Sequence, residues 1–215
     1  MKLTAKAGKG EKIHLSLDGE YIATVNADYW FTCGIKSGSE VTPQQLEELL
    51  AESARRKMMN KALDLLSMRD YSRRELSDKL VTKAWEKKEQ KDMDLGSLKQ
   101  QASDICDRLE ELGLLNEERF ARSYVDELLR RKHLSKSGLK TALIQKGVQR
   151  DIIETVLEEV EVDPVEQVRE LLATKFKNRD LSDEKQKTRT VNALLRLGYR
   201  YNEIHAAMGE WLEDE

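Results

Sequence analysis

Three short segments of this chain open a helix in the same way, and their recurrence limits the fold more than any other feature. Tyr71-Ser72, Leu134-Ser135 and Leu181-Ser182 each place a hydroxyl just ahead of an apolar helical stripe. A serine there can accept hydrogen bonds from the orphan N–H groups of the first turn. Glu75, three residues after Ser72, completes the pattern of a capping box. Tyr71 with Leu76, and Leu134 with Leu139, are spaced as hydrophobic staples, whereas the third copy has Gln186 at that place. The stripes that follow are Leu76, Leu80, Val81 and Ala84, then Leu139, Leu143 and Ile144, then Val191, Leu194 and Leu195. Two of them end at a glycine, Gly147 and Gly198, as helices ending in a left-handed residue do.

Each copy has a helical stripe before it and another after it. The first helices centre on Met58–Leu66, Phe120–Leu129 and Val165–Phe176. The third helices centre on Ile105–Leu112, Ile152–Val160 and Ile204–Trp211. That predicts three three-helix modules in tandem, over residues 42–115, 116–162 and 163–215. One module has too narrow an apolar stripe to fold well, so neighbours must stack, as in repeat arrays. The expectation is a mainly α, elongated array. Asp163-Pro164 marks one joint.

Residues 1–41 differ. Ile13, Leu15 and Leu17 alternate with His14 and Ser16, Asp18-Gly19 is a strong hairpin-turn signal, and Glu20–Val25 reads as the return strand. Tyr29–Cys33 can extend the β segment. A lone hairpin is marginal in water, so it packs on helices as a small cap or serves as a contact surface. Thr42-Pro43 then opens a long helix, with a cap and an N1 proline.

Cys33 and Cys106 match no metal or redox spacing, and the three histidines lie in separate segments. Phosphate-loop and dinucleotide motifs are absent, and no Ser/His/Asp set stands out. We therefore expect no catalytic residue, metal or cofactor. No apolar run reaches membrane-span length and the N-terminus lacks a signal-type segment, so a cytoplasmic, monomeric protein is expected.

Charge supplies the functional signal. The net charge is only −3, but Arg119–Arg150 carries nine Lys and Arg against two Asp and Glu, and Asp151–Glu170 carries one against eight. Within Leu112–Gly147, Asn116, Glu117 and Glu118 open a helix whose apolar face is Phe120, Tyr124, Val125, Leu128 and Leu129. Arg119, Arg122 and Arg130 fall on the opposite face. Asp126 shares that stripe and can pair with Arg122 and Arg130, so the face is either self-paired and solvated or open to an anionic partner.

The run GLLNEERFARSYVDELLRRK, followed by LSKSGLKTALIQKGV, closely resembles the centre of the bacterial RecX proteins, regulators of the recombinase RecA. The carrying residues are Leu109–Leu115, the pair Glu117-Glu118 and the cluster Arg119–Arg122, and the repeat covers about residues 55–212. The charged stretch Trp85–Ser103 departs from the family, where a short link is expected. The resemblance implies binding to the RecA–DNA filament and inhibition of its ATPase and strand exchange. Contact residues expected on that basis are Arg73, Arg74, Lys79, Arg119, Arg122, Arg130, Arg131, Lys136, Lys140 and Lys146. The alternatives are a module that binds the backbone of single- or double-stranded DNA weakly, salt-dependently and without RecA, and a scaffold with solvated basic faces.

Overall fold

The computed structural model describes residues 1–86 and 95–213. They form three strands followed by ten helices. The chain divides into two compact units, one of Met1–Arg69 with Ser77–Glu111, the other of Asp70–Leu76 with Leu112–Glu215.

The first unit begins with an antiparallel sheet of β1 (Leu3–Ala7), β2 (Lys12–Leu17) and β3 (Glu20–Asn26), in that spatial order. The hairpin β2–β3 is the expected one. Asp18 and Gly19 both have positive φ, 49° and 95°, as a two-residue turn joining twisted strands requires. β1 was not anticipated, because LTAKA has only one large apolar residue. It pairs along its whole length with β2.

Tyr29–Cys33 does not extend the sheet. The Asn26 side chain accepts a hydrogen bond from the Asp28 N–H at 3.0 Å and so caps the helix α1 (Ala27–Thr32). Aromatic residues are tolerated in either element, and the cap decides between them. α1 turns Trp30 inward and leaves Phe31 exposed.

α2 (Pro43–Leu66) starts with a full capping box between Thr42 and Gln45. It runs unbroken through Ser53, whose hydroxyl oxygen is buried and accepts the Thr24 N–H of β3 at 3.3 Å. The opposite border of the sheet is also occupied. Leu3 N–H donates to the Ser39 carbonyl at 2.9 Å and Ala5 N–H to the Ser37 hydroxyl at 2.9 Å. Leu3, Ile13, Leu15, Ala23 and Val25 on the inner face pack with Trp30, Val41 and Leu49. α3 (Arg73–Glu86) crosses from one unit to the other after Leu76. α4 (Leu95–Glu111) buries Leu98, Ala102, Ile105 and Leu109, one stripe at helical spacing. Of the expected insertion Trp85–Ser103, the described ends belong to α3 and α4, and residues 87–94 lie outside the described residues. So do the side chains of residues 210–213, including the expected core residue Trp211.

The second unit holds α5 (Glu117–Lys132), α6 (Lys136–Gln145) and α7 (Arg150–Glu158) around one core, and α8 (Pro164–Ala173), α9 (Glu184–Arg196) and α10 (Tyr201–Glu213) around another. The glycine stops act as expected. After α6, Gly147 N–H donates to Ile144 O and Val148 N–H to Leu143 O. After α9, Gly198 N–H donates to Leu195 O and Tyr199 N–H to Leu194 O. Both are Schellman turns, with Gly147 at φ 75° and Gly198 at φ 93°.

Two of the three predicted serine caps are present. The Ser72 hydroxyl accepts the Glu75 N–H at 3.1 Å, and the Ser135 hydroxyl accepts the Gly138 N–H at 3.2 Å. The third differs: Asp183, one residue later, caps α9 by accepting the Lys185 N–H. A carboxylate competes well for this role, and Ser182 instead donates its hydroxyl to Asp180 at 2.6 Å. That bond, with the Ser182 N–H, holds the Asp180 carboxyl below its ordinary range.

The two serines also make contacts beyond their own helices. Ser72 donates its hydroxyl to the Lys146 carbonyl, at 2.6 Å, in the Schellman turn of α6. Ser135 donates its N–H to the Leu197 carbonyl, at 3.1 Å, in the Schellman turn of α9. The start of one second helix therefore abuts the end of the next, twice. Glu117 reinforces the first of these joints. Its buried carboxylate accepts the Arg73 N–H and the Gln149 N–H, each at 3.3 Å, and so ties together the starts of α3, α5 and α7.

Candidate protein and nucleic-acid interface

α5 and α6 carry most of the expected contact residues. Asn116 caps α5 by accepting the Arg119 N–H at 2.8 Å, and Glu117 and Glu118 complement the dipole of the first turn. Phe120, Val125 and Leu128 are buried, so the arginine stripe is turned to solvent. At the far end His133 takes a left-handed conformation, φ 49°, and lets the chain turn into Ser135 and α6.

The arginines are not equivalent. Arg119 directs Nε and Nη2 at a single oxygen of Asp70, at 3.0 and 2.9 Å. Arg122 bridges Glu118 at 2.6 Å and Glu159 of the following acidic segment. Arg131 pairs with Glu127 one turn back. Arg130 donates Nε to the carbonyl of Asp126, not to its carboxylate, so the expected double pairing by Asp126 is replaced by Glu118, Glu159 and a backbone oxygen. Asp70 and Glu159 lie 49 and 37 residues from their partners, and local spacing rules give no sign of them.

Lys136 and Lys140 project from the exposed side of α6, and no ion pair engages them among the described residues. Lys146 is held differently. It reaches Glu75 at 3.1 Å and lies over the Tyr124 ring, 5.5 Å from its centre, while Tyr124 stacks on Phe120. It belongs to the packing between the starts of α3 and α5. Arg73 contributes its N–H to Glu117, and the stem of Arg74 lies against Gly147, where a Cβ would collide with it. Lys79 belongs to the other compact unit. The structure thus gathers Arg119, Arg122, Arg130, Arg131, Lys136 and Lys140 on two adjoining helices, with Lys146 at the C-cap of the second and turned to Glu75 and Tyr124.

The histidine, cysteine and carboxylate side chains form no metal-binding group among the described residues. Among those residues no helix is long and apolar enough to cross a membrane.

Successive three-helix sets, abutting through capped second helices, place the second unit among tandem helical-repeat proteins. The model of the first three-helix domain of RecX matches residues 59–89, and that of the second matches residues 116–157. These matches support the RecX family for this chain. The chain is 28% identical to the regulatory protein RecX of Caldanaerobacter subterraneus subsp. tengcongensis, over 76% of this chain and 79% of that protein. It is also 28% identical to the regulatory protein RecX of Bacillus subtilis, over 97% and 75%. In fold it resembles a crystal structure of a regulatory protein RecX, with a TM-score of 0.64 at 20% identity, covering 100% of this chain and 98% of the other. It resembles the structure of RecX from Lactobacillus salivarius as well, with a TM-score of 0.53 at 24% identity over 73% and 96%.

Proposed function

We propose that this chain is a non-enzymatic regulator that binds the RecA–DNA filament and inhibits ATP hydrolysis and strand exchange. Likeness to proteins named regulatory protein RecX supports this reading. The observation that carries it is the cationic surface of α5 and α6, where Arg130, Lys136 and Lys140 are exposed and their terminal amino or guanidinium groups are not taken up by carboxylates among the described residues. These three make the first contacts. Arg119, Arg122 and Arg131 follow, because an exposed ion pair contributes less than about 1 kcal/mol and a phosphate or acidic protein surface can replace the internal carboxylate. Lys146 orders the helices beneath.

Titration into RecA ATPase assays on single-stranded DNA tests this. The parent chain inhibits, and Arg130→Glu/Lys136→Glu/Lys140→Glu requires at least about tenfold more protein for the same inhibition, with its thermal midpoint retained. Equal inhibition by that variant removes this surface from the function. Equal binding to naked DNA and to the filament favours a DNA-backbone module acting without RecA.

A further inference from the structure

The outward face of the N-terminal sheet carries a second pattern that the filament reading does not use. Strand alternation sends Leu3, Ile13, Leu15, Ala23 and Val25 into the core. The opposite face presents Thr4, Lys6, Lys12, His14, Tyr21 and Thr24, and none of these positions is acidic. Lys6, His14 and Thr24 stand in one rung across all three strands. Lys12 lies two residues from His14 on the same strand. Lys6 and Lys12 are exposed and enter no ion pair among the described residues.

Tyr21 is 61% exposed, yet its ring is fixed. Its hydroxyl is 2.9 Å from the Thr24 hydroxyl, which in turn is 2.8 Å from His14 Nδ1. The two rings meet edge to face, with centres 6.3 Å apart. A bulge at Leu15/Ser16 adds a residue to β3 and so allows Tyr21 and Thr24, three apart, to share one face. Gly8 lets the His14 ring lie across the end of the sheet, where a Cβ would strike it.

A pre-ordered aromatic ring on the same sheet face as two unpaired ammonium groups suits a ligand with flat, uncharged faces linked by regular negative charge. We propose that this sheet face binds single-stranded nucleic acid, with a base stacked on Tyr21 and the adjoining phosphates on Lys6 and Lys12. A duplex hides its base faces, and an acidic peptide would use the lysines but gain little from the ring.

Fluorescence anisotropy of labelled oligo-dT and of a labelled duplex, with the full chain and no RecA, tests the proposal. It stands apart from the filament reading because each substitution is made in the parent chain and in a Lys136→Glu/Lys140→Glu chain. Tyr21→Ala weakens oligo-dT binding about tenfold and leaves duplex binding unchanged, whereas Tyr21→Phe keeps most of the affinity. Lys6→Ala/Lys12→Ala lowers the slope of log K against log salt by about 1.4. Unchanged oligo-dT binding by Tyr21→Ala, or an equal loss for duplex, overturns the assignment. If the lysine variant loses polyglutamate binding as strongly as oligo-dT binding while Tyr21→Ala is silent, the face docks acidic protein instead.

Discussion

The two serine joints of the second unit have the same layout and different chemistry. At the first, Ser72 faces Lys146 and Gly147 with side chains: a donated hydroxyl, the Glu75–Lys146 ion pair and the Glu117 carboxylate. At the second, Ser135 faces Leu197 and Gly198 with backbone. Its N–H is the donor, and Gly138 and Gly198 come so close that a Cβ on either would run into the other segment's main chain. A tandem repeat thus preserves where its helices meet, while the bonds at the meeting point are open to substitution.

The sharpest way to break the comparison is at the glycines. Gly198→Ala must hold a side chain at φ 93° against the backbone of Gly138, and it should cost about 3 kcal/mol in urea unfolding followed by circular dichroism. Gly147→Ala meets no backbone but the side chain of Arg74, its Cβ included, and should cost less, about 2 kcal/mol. Equal losses would mean that backbone approach does not distinguish the joints. Next come the serines. Ser72→Ala removes a cap and a buried donated bond, so about 2 kcal/mol is expected, while Ser135→Ala loses the cap alone, about 1 kcal/mol.

Tyr199 sharpens the second joint. It is buried and donates its hydroxyl to the His133 carbonyl at 2.8 Å, with Gln167 Oε1 also within reach. Burial, aided by Glu203 and Glu170, pushes its phenol well above the ordinary tyrosine range. Tyr199→Phe should cost about 1 kcal/mol at neutral pH. A raised folded-state value means the unfolded chain ionises first. The stability tied to this group is therefore complete below about pH 10 and falls as pH rises beyond it. Unfolding series at pH 8 to 11 should show the gap between parent and Phe variant closing at the alkaline end. A constant gap would remove the linkage. The smallest effect, about 1 kcal/mol or less by thermal midpoint, is at Lys146→Met, which keeps the stem over Tyr124 and loses an ion pair whose side chains are 31% and 17% exposed.

These distinctions mark what the sequence could convey. Helix starts and stops were legible, because a cap such as Asn116 and a stop such as Gly147 work over three or four residues. The apolar stripes were legible for the same local reason. Misreadings arose where two local solutions compete: Asn26 turns an aromatic run into α1, and Asp183 displaces Ser182 as a cap. The condition of the cationic face was not legible. Whether Arg119 is paired depends on Asp70, and whether Arg122 is doubly paired depends on Glu159, and both carboxylates arrive only through folding. The buried role of Glu117 was hidden too, since as a sequence it is one half of an acidic first turn.

Three serines, Ser37, Ser39 and Ser53, engage outward-pointing N–H or carbonyl groups along the two margins of a very small sheet. An uncovered margin invites strand donation from another molecule and, with it, runaway assembly. With both margins closed, growth by lateral pairing is discouraged at each side. The module is then restricted to meeting other macromolecules through its broad surface, a useful restraint in a protein rich in adhesive charge.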